Sequence, residues 1–220
     1  MKKIKLLLIL TAMLVLIIGC ESGGKIEIIN ATAYNVYTTI ESTEYTVAGN
    51  SSKTVKVDTD KKIFLVDDGE TKKSIDIDGE TFRVFDSWDG HVVTNTTIKI
   101  EPGKTTRIYC APNCASLKVV NNSDKYITKI EYRRVYQFDT RPWITKDFAD
   151  SLGAGEFSYV QLEPYTEDNA FFYNFIVSFS DGTVRPYGTE QEGVYLSNNE
   201  QYPLKYSTFG EYINIIESAY

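Results

Sequence analysis

Ile26-Glu27-Ile28-Ile29-Asn30 is the key to the architecture, because it returns as Leu117-Lys118-Val119-Val120-Asn121. Both runs are short, carry β-branched residues and close on an asparagine, and each is followed by small polar residues and then a Tyr-rich segment. Such composition suits an extended chain half-buried in a sheet. The echo continues downstream. Ala48-Gly49 leads to Val55-Lys56-Val57 as Ala154-Gly155 leads to Val160-Gln161-Leu162, and Ile63-Phe64-Leu65-Val66-Asp67-Asp68-Gly69 is matched by Ile176-Val177-Ser178-Phe179-Ser180-Asp181-Gly182. The order holds while the offset grows from 91 to 105 to 113 residues. That is the mark of one β-unit present twice, the second copy with longer loops.

Around these echoes, Lys25–Asn30, Tyr34–Ile40, Lys53–Val57, Lys61–Val66, Ser74–Ile77, Thr81–Phe85, Thr96–Ile100 and Lys104–Tyr109 read as strands, most of them alternating with period two. Asp68-Gly69, Asp78-Gly79 and Asp89-Gly90 supply turn chemistry between them. Spacings near ten residues suit an antiparallel sandwich, and no long helical period appears. The expectation is an all-β protein of two tandem sandwiches, residues 25–110 and 116–220, joined at a seam of residues 111–115 where Pro112 marks the boundary. The tail from Tyr202 to Tyr220 offers Tyr212-Ile213-Asn214-Ile215-Ile216 as a closing strand of the second sheet, with a short terminal helix as the alternative.

Sixteen tyrosines and eleven phenylalanines reinforce the strand reading. The net charge is −7, and three of the lysines, Lys2, Lys3 and Lys5, stand before an apolar run from Leu6 to Ile18 broken only by Thr11. Without those lysines the charge is −10, a balance opposed to a principal role in binding nucleic acid phosphates or in broad adhesion to anionic lipid. The basic start, the 13-residue apolar run and the small residue Gly19 are the features of an export signal, and the run is short of the roughly 20 residues that a spanning helix needs.

Leu16-Ile17-Ile18-Gly19-Cys20 resembles the bacterial lipoprotein signal. The resemblance implies removal of residues 1–19 and lipidation of Cys20, with residues 20–24 as a tether. Two or more acyl chains hold stably where one binds marginally. The body would then sit close to a membrane of the bacterial cell envelope, facing the periplasm or the exterior. Cys110 and Cys114 are the other two cysteines. In an oxidising compartment a local disulfide is the natural reading, worth about 2 kcal/mol for so short a loop. The spacing is not Cys-x-x-Cys, and a closed zinc site needs two further ligands in a chain with a single histidine.

The Asn121-Asn122-Ser123 turn, the Gly153-Ala154-Gly155-Glu156 turn and the strand ending in Asp181-Gly182 are similar to the immunoglobulin-like modules of exported bacterial lipoproteins. Ala31-Thr32 stands in the first unit where the second has Asn122-Ser123. A shared fold carries no shared function.

The most unusual stretch runs from Lys125 to Lys146, where Lys125, Lys129, Arg133, Arg134, Arg141 and Lys146 oppose only Glu131 and Asp139. Tyr126, Tyr132, Tyr136, Phe138 and Trp143 are interleaved with them. Arginine beside exposed aromatics is the composition of a binding hot spot, so Arg133, Arg134, Tyr136, Arg141 and Trp143 are the candidate binding residues. The plainer alternative is a strand that buries its Tyr and Val and turns its arginines to water. The segment from Gln137 to Gly155 reads as a long loop. Asp86, Asp89 and His91 are a weak candidate for divalent-metal ligands, against the reading of a plain acidic hairpin.

Catalysis finds little support. One histidine leaves few partners for a nucleophile, and no Gly-rich phosphate loop follows a strand, so no cofactor is expected. The sequence therefore points to a lipid-anchored, non-catalytic protein presenting loops of its second unit to a protein or glycan partner, with no nucleic acid role. A structural spacer or accessory subunit of an envelope complex is the alternative, and a carboxylate-dependent envelope hydrolase is the third reading.

Overall fold

The computed structural model describes residues 23–59, 71–86 and 90–207. The export signal with Cys20, the expected strand Lys61–Val66, Asp89 and the Tyr212–Ile216 segment lie outside the described residues. Within them the chain forms sixteen strands and no helix. In the first half these are β1 (Gly23–Asn30), β2 (Val36–Ile40), β3 (Thr43–Val47), β4 (Ser51–Asp58), β5 (Thr71–Gly79), β6 (Val84–Phe85), β7 (Val92–Val93), β8 (Asn95–Ile100) and β9 (Thr105–Cys110). In the second half they are β10 (Ala115–Asn122), β11 (Ile127–Tyr136), β12 (Ile144–Leu152), β13 (Phe157–Leu162), β14 (Phe171–Phe179), β15 (Val184–Tyr187) and β16 (Gln201–Ser207).

Alternation drives each strand to one face. In β1 every second residue is buried, which sends Ile26 and Ile28 into the first core while Glu27 stays at the rim. Full burial of each such side chain contributes roughly 1.5–3 kcal/mol. Sheet β4-β1-β9 covers sheet β3-β2-β5-β8 in the first half, and sheet β13-β10-β16 covers sheet β12-β11-β14-β15 in the second. Setting aside the small β6–β7 hairpin, both halves read 4-1-7 against 3-2-5-6 in their own strand order. In both, the first strand pairs antiparallel with the fourth and parallel with the seventh. The seven strands in sheets of three and four share the immunoglobulin-like sandwich architecture, although their order differs from the ABED and CFG sheets of antibody constant domains.

The asparagine that closes each echo is a buried staple. Asn30 Nδ2 donates to the carbonyls of Tyr34 (2.7 Å), Val47 (2.9 Å) and Ala48 (3.1 Å), and its Oδ1 accepts from Thr32 N at 2.9 Å. Asn121 Nδ2 donates to the carbonyls of Lys125 (2.6 Å) and Leu152 (2.7 Å), and its Oδ1 accepts from Ser123 N and Oγ. Thr32 takes the part of Ser123: both hydroxyls donate to the carbonyl two residues on, in Tyr34 and Lys125. One side chain thus ties the end of the first strand to the end of the third in each unit.

The structure departs from several expectations. The segment from Gln137 to Gly155 is not one loop, because β12 runs through it from Ile144 to Leu152 and pairs with β11 from Tyr132↔Ile144 to Ile127↔Leu152. The second sandwich is closed by β16 at Gln201–Ser207. Strand β3 escapes the sequence pattern because its hairpin turn is Glu41-Ser42, both at positive φ (51° and 65°), a geometry usually signalled by Asn-Gly or Gly. Asp78-Gly79 ends β5 instead of forming a turn, and only Val84–Phe85 of the expected Thr81–Phe85 strand pairs. The strand in the place of β14 in the first half is β5, and the 63–69 run lies outside the described residues. Cys110 and Cys114 are free thiols and not a disulfide. Cys110 packs into the first core, whereas Cys114 sits beside Arg83 with its backbone held by Thr81 and Asn199. Burial pushes both thiols up to about 11.

Candidate binding site

The pleat of β11 divides the five candidate residues between two faces. On one face the Arg133 guanidinium lies 4.6 Å over the Trp143 ring, and its Nε is buried without a hydrogen-bond partner, so stacking holds it. On the other, Arg134 pairs with Glu163 and lies 5.7 Å from the Phe171 ring centre, and the Tyr136 ring tilts against Phe171 at 5.3 Å. Arg141 returns along the hairpin to sit 5.5 Å over Tyr136 and to pair with Asp139 at 3.3 Å.

Two short backbone links fold the turn between them. Tyr136 N donates to Asp139 O at 2.7 Å and Arg141 N to Arg134 O at 2.9 Å. Phe138 is left at the tip, 91% exposed. The exposed ring has two stacked arginines behind it, and those stacks hold Arg133 and Arg141 in place, which lowers the ordering cost of a contact there.

The face that carries Arg134 opens into a cleft of about 370 Å³. Tyr132, Ile144 and Lys146 come from the β11–β12 pair, Glu163 follows β13, and Arg83 and Val92 reach in from the first half. Arg83 and Glu163 were not legible as site residues: they lie 51 and 29 positions from Arg134, and no local pattern links them. Asp86 and His91 face each other across the β6–β7 hairpin, with Asp86 N donating to His91 O at 2.8 Å. Among the described residues no group of three or more potential metal ligands converges.

Beside the cleft the two halves join through a polar seam. The Glu80 carboxylate is 1% exposed and accepts from Tyr37 Oη (2.7 Å) and Gln201 Nε2 (2.6 Å), with Lys118 Nζ at 3.4 Å. Asp78 accepts from Tyr159 Oη (2.7 Å) and Gln161 Nε2 (2.6 Å), and Tyr37 and Tyr159 stack with centroids 5.9 Å apart. Burial, then the hydrogen bond to Glu80, pushes the Tyr37 phenol up to about 12, and burial with the Asp78 charge raises Tyr159 well above its ordinary value. Both phenols are therefore protonated donors.

No protein-family model matches this chain, and no curated protein does. Among solved structures the chain is similar to the Bacillus anthracis TIE protein (9% identity over 84% of this chain and 34% of that one, TM-score 0.27). It is also similar to the C-terminally truncated tip fimbrial protein Mfa3 from Porphyromonas gingivalis (10% identity, 83% and 94%, TM-score 0.30) and the major pilin protein T3.2 from Streptococcus pyogenes (10% identity, 84% and 98%, TM-score 0.24). The chain spans about a third of the length of the B. anthracis protein. These likenesses are remote, and function has to be read from this chain's own residues.

Proposed function

We propose that the chain is a non-catalytic lipoprotein of the bacterial cell envelope, anchored through Cys20, that presents the β11–β12 turn of its second unit to a protein or glycan partner. Units at 25–110 and 116–220 with a joint at 111–115 are part of this reading, which places the first unit as the stalk. The observation that carries it is the turn itself: Phe138 fully presented, with Arg133 stacked on Trp143 and Arg141 on Tyr136 behind it. The anchor is supported by the order of residues from Leu16 to Cys20.

The test is capture from native membranes with the 20–220 body carrying Phe138→Ala, Arg133→Ala and Trp143→Ala together. The partner recovered by the unaltered body is expected to be lost, and an unchanged set of captured proteins and glycans overturns the assignment. Cys20→Ala is expected to abolish incorporation of labelled palmitate. The spacer reading is favoured by one feature, the hydrogen-bonded seam between the halves, which suits a stiff connector. It would be preferred if the triple variant still copurified in constant ratio with a large envelope complex.

A further inference from the structure

The cleft between the two halves is separate from the exposed turn, and presentation of that turn to a partner leaves it without a ligand. Its lining holds three cations, Arg83, Arg134 and Lys146, against the single carboxylate of Glu163, in a chain whose net charge is −7. Arg134 is neutralised by Glu163, but among the described residues neither Arg83 nor Lys146 has a carboxylate within ion-pair distance. The position of these groups follows from the fold. Lys146 lies opposite Ile130 and Ile144 opposite Tyr132 in the β11–β12 register, so both project to the face that carries Arg134. Arg83 is brought over from the first half by a reciprocal link to the joint: its backbone N donates to Asn113 Oδ1 and its carbonyl accepts from Asn113 Nδ2, each at 2.8 Å. Val160 and Leu162 form a buried apolar floor, and the half-exposed Val92 and Ile144 add apolar surface at the rim. Tyr132 sets its ring edge against Tyr173 at 6.3 Å and forms part of the same lining.

We infer that this cleft binds an acidic sugar, a hexuronic acid unit of a saccharide chain. Among the described residues Arg83 and Lys146 have no carboxylate beside them, which suits a negatively charged ligand, and guanidinium matches a planar carboxylate with two hydrogen bonds. The neighbouring Glu163 accepts and cannot donate, so it suits a ligand that also offers hydroxyl donors, which the chain of a fatty acid lacks. The half-buried Tyr132 ring gives flat apolar surface for the C–H face of a sugar. The volume of about 370 Å³ is at the small end of ligand cavities, roughly 300–1,000 Å³, which suits one or two sugar rings and not the broad area that a protein partner covers.

The experiment is calorimetric titration of the 20–220 body with digalacturonate, with the neutral disaccharide galactobiose, and with the dipeptide Asp-Glu. Digalacturonate is expected to bind, at least tenfold more tightly than galactobiose, and to weaken as salt rises. Arg83→Gln combined with Lys146→Gln is expected to reduce affinity at least tenfold, while Phe138→Ala leaves it unchanged, which separates this site from the exposed turn. Near-ultraviolet circular dichroism checks that each variant is folded. Absence of binding at millimolar digalacturonate, equal binding of galactobiose, tighter binding of Asp-Glu, or full affinity in the folded double variant each overturns the inference.

Discussion

The two sandwiches share one strand order but are filled differently. The first core is aliphatic, built from Ile26, Ile28, Val36, Ile40, Ile75, Ile77 and Ile100. The second is threaded by aromatics: Phe171 meets Tyr173 edge-on at 5.2 Å, Tyr173 stacks with Phe175 at 6.0 Å, and Phe175 stacks with Tyr202 at 6.5 Å. The fifth strand shows why. In β5 burial begins only at Ile75 and then alternates, whereas in β14 eight of nine residues are buried because a second layer of chain lies on its outer face. That layer passes so close that a Cβ on Gly193 would lie 2.2 Å from Phe172 Cδ2. Two sandwiches of one strand order can therefore keep their topology and their asparagine staple while one of them gains an extra layer of chain.

Emptying each core puts the contrast between aliphatic and aromatic filling to its hardest test. Phe175→Ala is expected to cost about 3–5 kcal/mol and Ile77→Ala about 2–4 kcal/mol, measured by urea denaturation. An equal or reversed order would mean that the aromatic ladder adds nothing beyond the aliphatic core. Next come the staples. Asn30→Ala and Asn121→Ala each leave buried carbonyls unpaired and are expected to cost about 2–3 kcal/mol, equal to within about 1 kcal/mol. A cost confined to one of them would show that the two staples are not equivalent.

A smaller effect is expected at the seam, where the halves meet and likeness gives way to coupling. Tyr159→Phe removes a hydrogen bond to a carboxylate and should cost about 1.5–3 kcal/mol. Tyr37 adds a pH signature. Its phenol is held at about 12 in the folded protein against an ordinary 10.0, so the folded state keeps a proton that the unfolded state releases. Its contribution is fully present below pH 10 and is lost as pH rises toward 12. Tyr37→Phe should flatten that part of the stability profile, and an unchanged slope would detach Tyr37 from the seam. The smallest effect concerns the thiols. Cys110 and Cys114 should resist alkylation at about pH 8 in the native protein and both react after denaturation without reductant, an outcome that a disulfide would prevent.

Legibility followed range. The strand pattern of β1, β4, β8, β9 and β10 was readable because period-two alternation is a local property, and the asparagine staples showed as the residue closing each echo. The β3 hairpin was hidden because its turn adopts positive φ without the residues that announce it. The candidate site was half legible. All five gather around one hairpin, which brings near neighbours together, but Arg133 and Trp143 meet on one face of β11 while Arg134 and Tyr136 share the other, where Arg141 lies over the Tyr136 ring. Arg134 parts from Arg133 because adjacent residues on a strand leave opposite faces.

The all-β class, the duplication and the concentration of arginine and aromatic residues in the second unit could be had from the residues alone. Each is written in composition and short-range periodicity. The burial of Glu80 against Tyr37, Lys118 and Gln201, and the meeting of Arg83 with Arg134 and Lys146 around one cleft, came only with the folded chain. Those groups belong to distant parts of the sequence, and the packing of two sandwiches against each other is what places them together, for which no local pattern exists.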